Sequence, residues 1–322
     1  MIEQRMARSD VWRLHYREDR YAEHLTQLEL NQRLRDIVVN LLVVNPGGIA
    51  IMPMDIGPDD ISNASTLWHE KWTHMLEEMT LRHGPYPAGF TRETIHKEPL
   101  PDFASELSKR AARRLEAMGA RASDVFIRYG KREFMEALYH AGALRIQPAT
   151  SFARASHNEA RLDDELNIPL SLVATRDDLL TFVSNPANVL SDLPHTRVDV
   201  TVQLPSDYWL YCVSSALTPR LFVDYEAEAC VIVRDRDRFA HMLHESSLKK
   251  LSGTILRGGF VEYVDPLLPK SMVSAVAFSK HFRYSYQHEF RFCWLPPHNI
   301  GRAMHCDVQI GSLTDFSELI VM

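Results

Sequence analysis

The residues best placed to do chemistry lie in one stretch, Phe278 to Pro297, which reads FSKHFRYSYQHEFRFCWLPP. From Gln287 onward, the alternation of a β-strand places Gln287, Glu289, Arg291 and Cys293 on one face and His288, Phe290, Phe292 and Trp294 on the other. A carboxylate flanked two residues either way by an amide and a guanidinium is costly to bury, so Glu289 is either on a wet strand face or in a site. Pro296 and Pro297 stop the strand. A second group of candidates is the polar loop SFARASHNEARLDDEL, where His157, Asn158, Asp163, Asp164 and Glu165 are dense enough, with Glu262 and Asp265, to suggest a Mg²⁺ or Mn²⁺ site. His69, Glu70 and His74 resemble a zinc-protease helix, but histidines five apart do not face one ion, and no metal is expected there.

These residues need elements to hold them. The N-terminal part reads as helical: one long amphipathic helix from Ser9 to about Asn45, capped by Ser9 or Asp10 and ended by Asn45-Pro46-Gly47-Gly48, then a helix from Ser65 to His83 closed by Gly84-Pro85. Pro85 to Pro101 reads as a connector or arm. A third helix, Asp102 to Met118, stops at Gly119 and carries Lys109, Arg110, Arg113 and Arg114 on its outer face, balanced by Glu106 and Glu116.

After Ala120 the pattern changes to short β runs. Strands are expected at Val125 to Gly130, Ala143 to Pro148, Ser171 to Ala174, Val198 to Leu204, Tyr208 to Ser214, Ala229 to Arg234 and Gly259 to Val264, with helices at Lys131 to Ala141 and Arg238 to Glu245. Without strict βαβ alternation this is an α+β chain: a helical domain over residues 1–120, for partner binding or regulation, and a largely antiparallel domain over residues 121–322. Neither GxGxxG nor GxxxxGK[ST] occurs, which argues against Rossmann and P-loop nucleotide sites.

A net charge of −6 argues against a general nucleic-acid coat or a membrane-surface binder. The sequence has no apolar run of spanning length and no signal-peptide pattern, so a cytoplasmic protein is expected. The four cysteines, Cys212, Cys230, Cys293 and Cys306, form no CxxC pair and read as buried thiols of a reducing compartment.

Three strand-end elements follow in order: Arg128 with Tyr129 and Gly130, the pair Ser214-Ser215, and Gln287-His288-Glu289. This order resembles the arginine, serine, glutamate pattern of the ADP-ribosyltransferase superfamily. The second half is also similar to a loosely described bacterial family of toxin and phage-defence contexts, through FVDYEAEACVIVRD, GFVEYVDP and FSKHFRYSYQHEFRF.

The resemblance implies an ADP-ribosyltransferase-like fold and NAD as the substrate. Glu289 would stabilise a ribosyl cation, Gln287 would position the acceptor, and Ser214 or Ser215 would orient the ribose or the arginine. Arg128, or its rival Arg145, would grip the diphosphate, and Tyr129 or Tyr286 would stack on nicotinamide. It further implies a toxin or anti-phage effector that modifies a nucleic acid or a protein, with a cognate antitoxin or inhibitor. The N-terminal helices could pair with a second copy of the chain. Two other functions stay open: a non-catalytic partner-binding sensor, and a metal-dependent nuclease using the acidic loop at residues 157–165.

Overall fold

The computed structural model describes residues 6–54, 64–85, 101–118, 124–153, 160, 162–174, 196–269, 273 and 275–322. The connector after Pro85, the boundary near residue 120, Gly119, His157 and Asn158 lie outside the described residues, wholly or in most of their length. The chain mixes helices with mainly antiparallel sheets.

The expected first helix is two helices and a hairpin. Helix α1 spans Arg8–Glu18, with Ala7 rather than Ser9 or Asp10 at its N-cap, and α2 spans Gln27–Leu41. The apolar stripe continues through the break because Tyr21, Ala22 and Leu25 are buried there in turns. What restarts the helix is Thr26: its Oγ1 accepts from the Glu29 backbone N–H while the Glu29 carboxylate takes the Thr26 N–H at 2.7 Å, closing a capping box. Asn45 to Gly48 does not end a helix but turns a hairpin, β1 (Leu42–Asn45) against β2 (Gly48–Ile51), with Gly48 at φ +126°.

Helix α3, Ala64–His83, follows the expected span closely and packs with α1 and α2 around Leu30, Leu34, Ile37, Met75 and Met79. Helix α4 covers Glu106–Ala117 with Ser105 as its cap.

Strands β3 (Phe126–Gly130), β4 (Ala143–Pro148), β5 (Asn167–Ala174), β6 (Thr196–Gln203), β7 (Trp209–Ser214) and β8 (Ala229–Val233) form near their expected positions. Between β3 and β4 runs α5 (Arg132–Ala141), between β7 and β8 the short α6 (Arg220–Asp224), and after β8 comes α7 (Arg236–Leu248). The strand expected at Gly259 to Val264 is divided into β9 (Ile255–Phe260) and β10 (Glu262–Val264): Val261 N–H bonds Glu289 O at 3.0 Å, in line with the β9–β12 register, and from Glu262 the chain pairs with residues 279–281 instead. Strands β11 (Ser279–His281), β12 (Glu289–Leu295), β13 (Cys306–Gln309) and β14 (Ser317–Val321) complete the chain.

The central sheet has eight strands and a fork. Strand β12 pairs all six residues of β7 along one edge, from Glu289 opposite Ser214 to Trp294 opposite Trp209. On the other edge β7 is shared: β4 takes Trp209 and Leu210, and β3 takes only Ser214. Residues 211–213 are thus left without a ladder partner on that side.

Side chains alternate to the two faces. Phe126, Val231, Val213, Phe292 and Trp294 pack under α5 and α7, while Ile127, Tyr129, Cys230 and Ile232 pack under α4 and α6. Covered on both sides, β8 is buried at every position, which is why it reads as an unbroken apolar run.

Helices α2 and α3 are tied by polar contacts to the segment after β10 and to the turn that leads into β12. Arg33 donates both terminal nitrogens to Asp265 at 2.8 Å each, and Lys71 reaches the same carboxylate at 2.5 Å. Asn40 donates to Arg283 O at 2.9 Å and accepts from Tyr286 N–H at 2.9 Å. No helix among the described residues is long and apolar enough to cross a membrane.

Candidate functional site

The stretch around Glu289 begins differently from a regular strand. Residues Phe282–Gln287 form a 3-10 helix and His288 is left-handed, at φ 46°, so β12 starts at Glu289 and Gln287 is not part of its alternation. From Glu289 onward the alternation holds, with Phe290, Phe292 and Trp294 packed in the main core. The other face does not meet water: Gln287, Glu289 and Arg291 are 1%, 5% and 0% exposed. Three polar groups at these values exclude a solvated strand face, since unpaired they would cost several kcal/mol each.

They are paired with one another. Arg291 Nε donates to Glu289 Oε1 at 2.9 Å and Nη2 to Glu165 Oε1 at 2.9 Å, while Nη1 donates to Ala277 O at 3.0 Å and stands 2.6 Å from Glu165 Oε2 as an ion pair. Lys280 Nζ completes the cluster, 3.1 Å from Glu289 Oε2 and 3.0 Å from Gln287 Oε1, with Asp163 and Glu165 at 3.8 and 3.9 Å. Gln287 Nε2 donates to Ala160 O at 2.8 Å, and the Glu289 N–H donates to Tyr263 Oη at 2.8 Å.

The electrostatics separate the carboxyls. Burial pushes Glu289 up, but the Arg291 and Lys280 charges outweigh it and hold the group well below the usual carboxylate range. Burial wins at Glu165, which is pushed up to about 7 against the pull of Arg291, and it also raises Asp163. Lys280 loses by burial and gains more from Glu289, Glu165 and Asp163, so its ammonium stays charged.

Above this cluster, at the fork, lies a cleft of about 90 Å³ lined by Arg128, Tyr129, Ser214, Gln287, Glu289 and Lys280 among others. The fork explains its position: where β3 and β7 part, the sheet has no side-by-side backbone to close it. Arg128 occupies the gap, donating one nitrogen to the unpaired Cys212 O at 2.5 Å, with its guanidinium 4.9 Å from the Tyr211 ring centre. Ser214 Oγ lies 2.8 Å from Gln287 O and 3.1 Å from Ala216 O, pinning the turn before β12 to the end of β7. Tyr129 Oη is engaged with Ala216 O at 3.0 Å and Thr218 N–H at 3.1 Å, and its ring packs edge-on against Phe222.

The structure therefore brings Arg128, Tyr129, Ser214, Gln287 and Glu289 to one cleft, and does not bring Arg145, Ser215 or Tyr286 there. Arg145 is on β4 and pairs across the strand with Asp307 of β13 at 2.6 Å. Ser215 Oγ bonds His288 O at 3.0 Å, and Tyr286 lies beneath Arg220, whose guanidinium carbon is 3.5 Å from the ring centre. Lys280 is the cleft residue that sequence reasoning missed, because the three-residue β11 and the 3-10 turn after it carry no periodic signal. Glu165 was a metal candidate instead, but it and Asp163 face Lys280 and Arg291. Among the described residues no group of three or more His, Cys, Asp or Glu could hold a metal ion.

No family model matches the chain, and no curated protein or solved structure matches it either.

Proposed function

We propose that the chain is an ADP-ribosyltransferase-like enzyme that uses NAD as a substrate in the cleft at the strand fork. The observation that carries this is the convergence of Arg128, Ser214 and Glu289 on one cleft with an ionised carboxylate at its base. Arg128 comes from the middle of β3 and not from a strand end as the sequence suggested, Ser214 from the end of β7 and Glu289 from the start of β12. Transfer breaks the bond between C1 of the ribose and the nicotinamide nitrogen, which leaves as neutral nicotinamide. An acceptor atom then bonds C1 and gives up its proton. Positive charge develops on the ribose between the two events, and Glu289 is held ionised to face it. Arg128 has one N–H on Cys212 O and further donors in its fork for the diphosphate. Ser214 and Gln287 act as positioning groups: Ser214 Oγ bonds the Gln287 carbonyl just before Glu289, and the Gln287 side chain bonds Ala160 O and the same Lys280 that holds Glu289.

Two features bound how a ligand would fit. At about 90 Å³ the cleft is well under the roughly 300 Å³ and upward of drug-sized pockets, so one ring-sized part of a dinucleotide enters and the rest lies outside. Lys280 already occupies Oε2 of Glu289, so a ribose hydroxyl must share or replace that contact.

The test is release of nicotinamide from NAD, and transfer of labelled ADP-ribose into a lysate, by the wild type, by Glu289→Gln and by Arg145→Gln. Activity lost 100-fold or more in a folded Glu289→Gln and retained in Arg145→Gln is the expected result, and protease or nuclease digestion of the product then names the acceptor. A wild type that releases no nicotinamide, or a folded Glu289→Gln that releases it at the wild-type rate, refutes the assignment. The first outcome points to the partner-binding function.

A further inference from the structure

A second cleft, of about 130 Å³, lies where helix α2 meets the sheet domain. It shares Ala160 with the first but has its own chemistry. Its walls carry three arginines, Arg35 and Arg220, which are 3% exposed, and the half-buried Arg283. We propose that this cleft is a binding site for a phosphoryl oxyanion, and that Arg220 is its anchor.

Arg220 is held in place from three sides. Its Nε donates to Asp224 at 2.8 Å, one terminal nitrogen donates to Val39 O, and its plane lies between the Tyr286 and Phe103 rings, at 3.5 and 5.0 Å. The other terminal nitrogen, Nη2, is buried with no hydrogen-bond partner among the described residues. An orphaned donor on a rigid, charged and buried side chain beside a cleft is unusual, because buried polar groups are paired in the great majority of cases. A planar guanidinium fixed in this way is pre-organised for a phosphate oxygen, and little side-chain entropy remains to be lost on binding. Arg283 stands on the rim, with Nε 3.5 Å from Asp36 and its guanidinium 5.5 Å from the Tyr284 ring centre.

The cleft is not a simple positive patch. Asp36, Asp224 and Glu226 also line it, so the three arginines are matched in number and recognition must come from directed donors. This favours a small, doubly charged oxyanion that can meet more than one guanidinium at once, and gives chloride no advantage. Free phosphate and the phosphate end of a nucleotide share this chemistry.

The site is tested on the full chain by isothermal titration with inorganic phosphate and with AMP, against chloride at matched ionic strength. The variants are Arg220→Lys, which keeps the charge and removes the fork, and Arg283→Gln, at a half-exposed position where the fold is retained. Saturable binding of phosphate or AMP by the wild type, weakened at least tenfold in both variants, is expected. Tighter binding of AMP than of phosphate assigns the nucleotide as the source, and equal binding assigns the free ion. No saturable heat beyond that of chloride, or binding that neither variant weakens, overturns the proposal. Arg128→Gln, in the first cleft, is the control: it should leave this binding unchanged, and binding lost in Arg128→Gln but kept in Arg220→Lys and Arg283→Gln assigns the ligand to the first cleft and overturns the proposal.

Discussion

Replacing Glu289 by Gln tests the charge balance at the base of the fork before it tests any activity. Around Glu289 the cluster holds three carboxyls, Asp163, Glu165 and Glu289, against the two cations Lys280 and Arg291. The Gln amide can keep the bond from Arg291 Nε, now 2.9 Å, but the group it offers to Lys280 is then an amide N–H facing an ammonium. Removing one partner of a buried ion pair costs about 3–5 kcal/mol, a large share of the roughly 5–15 kcal/mol that holds a domain. Lys280 still faces Asp163 at 3.8 Å and Glu165 at 3.9 Å in that variant, so Lys280→Met on top of it costs more stability and does not restore any. Both single variants lose the same Glu289–Lys280 pair, however, so their losses should not add, and the double variant should be about 1–3 kcal/mol more stable than the sum of the two predicts. Urea unfolding of the four proteins gives the coupling directly. A cost below about 1 kcal/mol for Glu289→Gln, or single losses that add to within about 0.5 kcal/mol, would mean that water reaches the cluster and that the electrostatic account is wrong.

Other outcomes follow from the same structure. Asp265→Asn leaves Arg33 buried and half-paired and should cost about 3–5 kcal/mol in urea unfolding; a loss under about 1 kcal/mol refutes the tie between α2 and the segment after β10. Asp36 is pushed up to about 6 from its ordinary 3.8, chiefly by burial. The folded state therefore binds its proton more tightly than the unfolded state, and this contribution is full below pH 3.8 and lost as pH rises through about 6. Asp36→Asn should accordingly flatten the pH dependence of Tm between pH 4 and 7, and parallel curves for variant and wild type count against it. Gly142→Ala should be insoluble or poorly folded: the left-handed backbone alone costs about 1–3 kcal/mol. The added Cβ would also stand 2.0 Å from Gly311 O, so a normally stable variant would show the C-cap of α5 to be misplaced.

Strands β7 and β8 were legible as short apolar runs bounded by turns, and β8, covered on both faces, shows that composition whatever its partners; β4 was legible from its alternation, with Leu144 and Ile146 buried and Arg145 exposed. The register of β12 was legible only from Glu289 onward. Left-handed His288 breaks the two-residue period, and nothing in the residue type announces it. The split of the first helix was written in the sequence as Thr26-x-x-Glu29, a capping-box spacing that the continuous apolar stripe obscured. The partners of Glu289 were not legible. Lys280 and Glu165 arrive through a three-residue strand and an irregular loop, and long-range ion pairs leave no local pattern.

The fork also sets an order of events during synthesis. Arg128 meets Cys212 across 84 residues, and Arg33 meets Asp265 across 232, so the first cleft and the tie between α2 and the segment after β10 both rest on residues far apart in the chain. A chain still on the ribosome short of Glu289 can form α1 to α3 and pair β3 with β8, but β7 then has a bare edge where β12 belongs. The carboxylate and the strand that joins β9 to β7 arrive together. The unfinished protein consequently carries neither the charge proposed to drive its chemistry nor a complete sheet, and exposes instead a six-residue strand edge available to other chains.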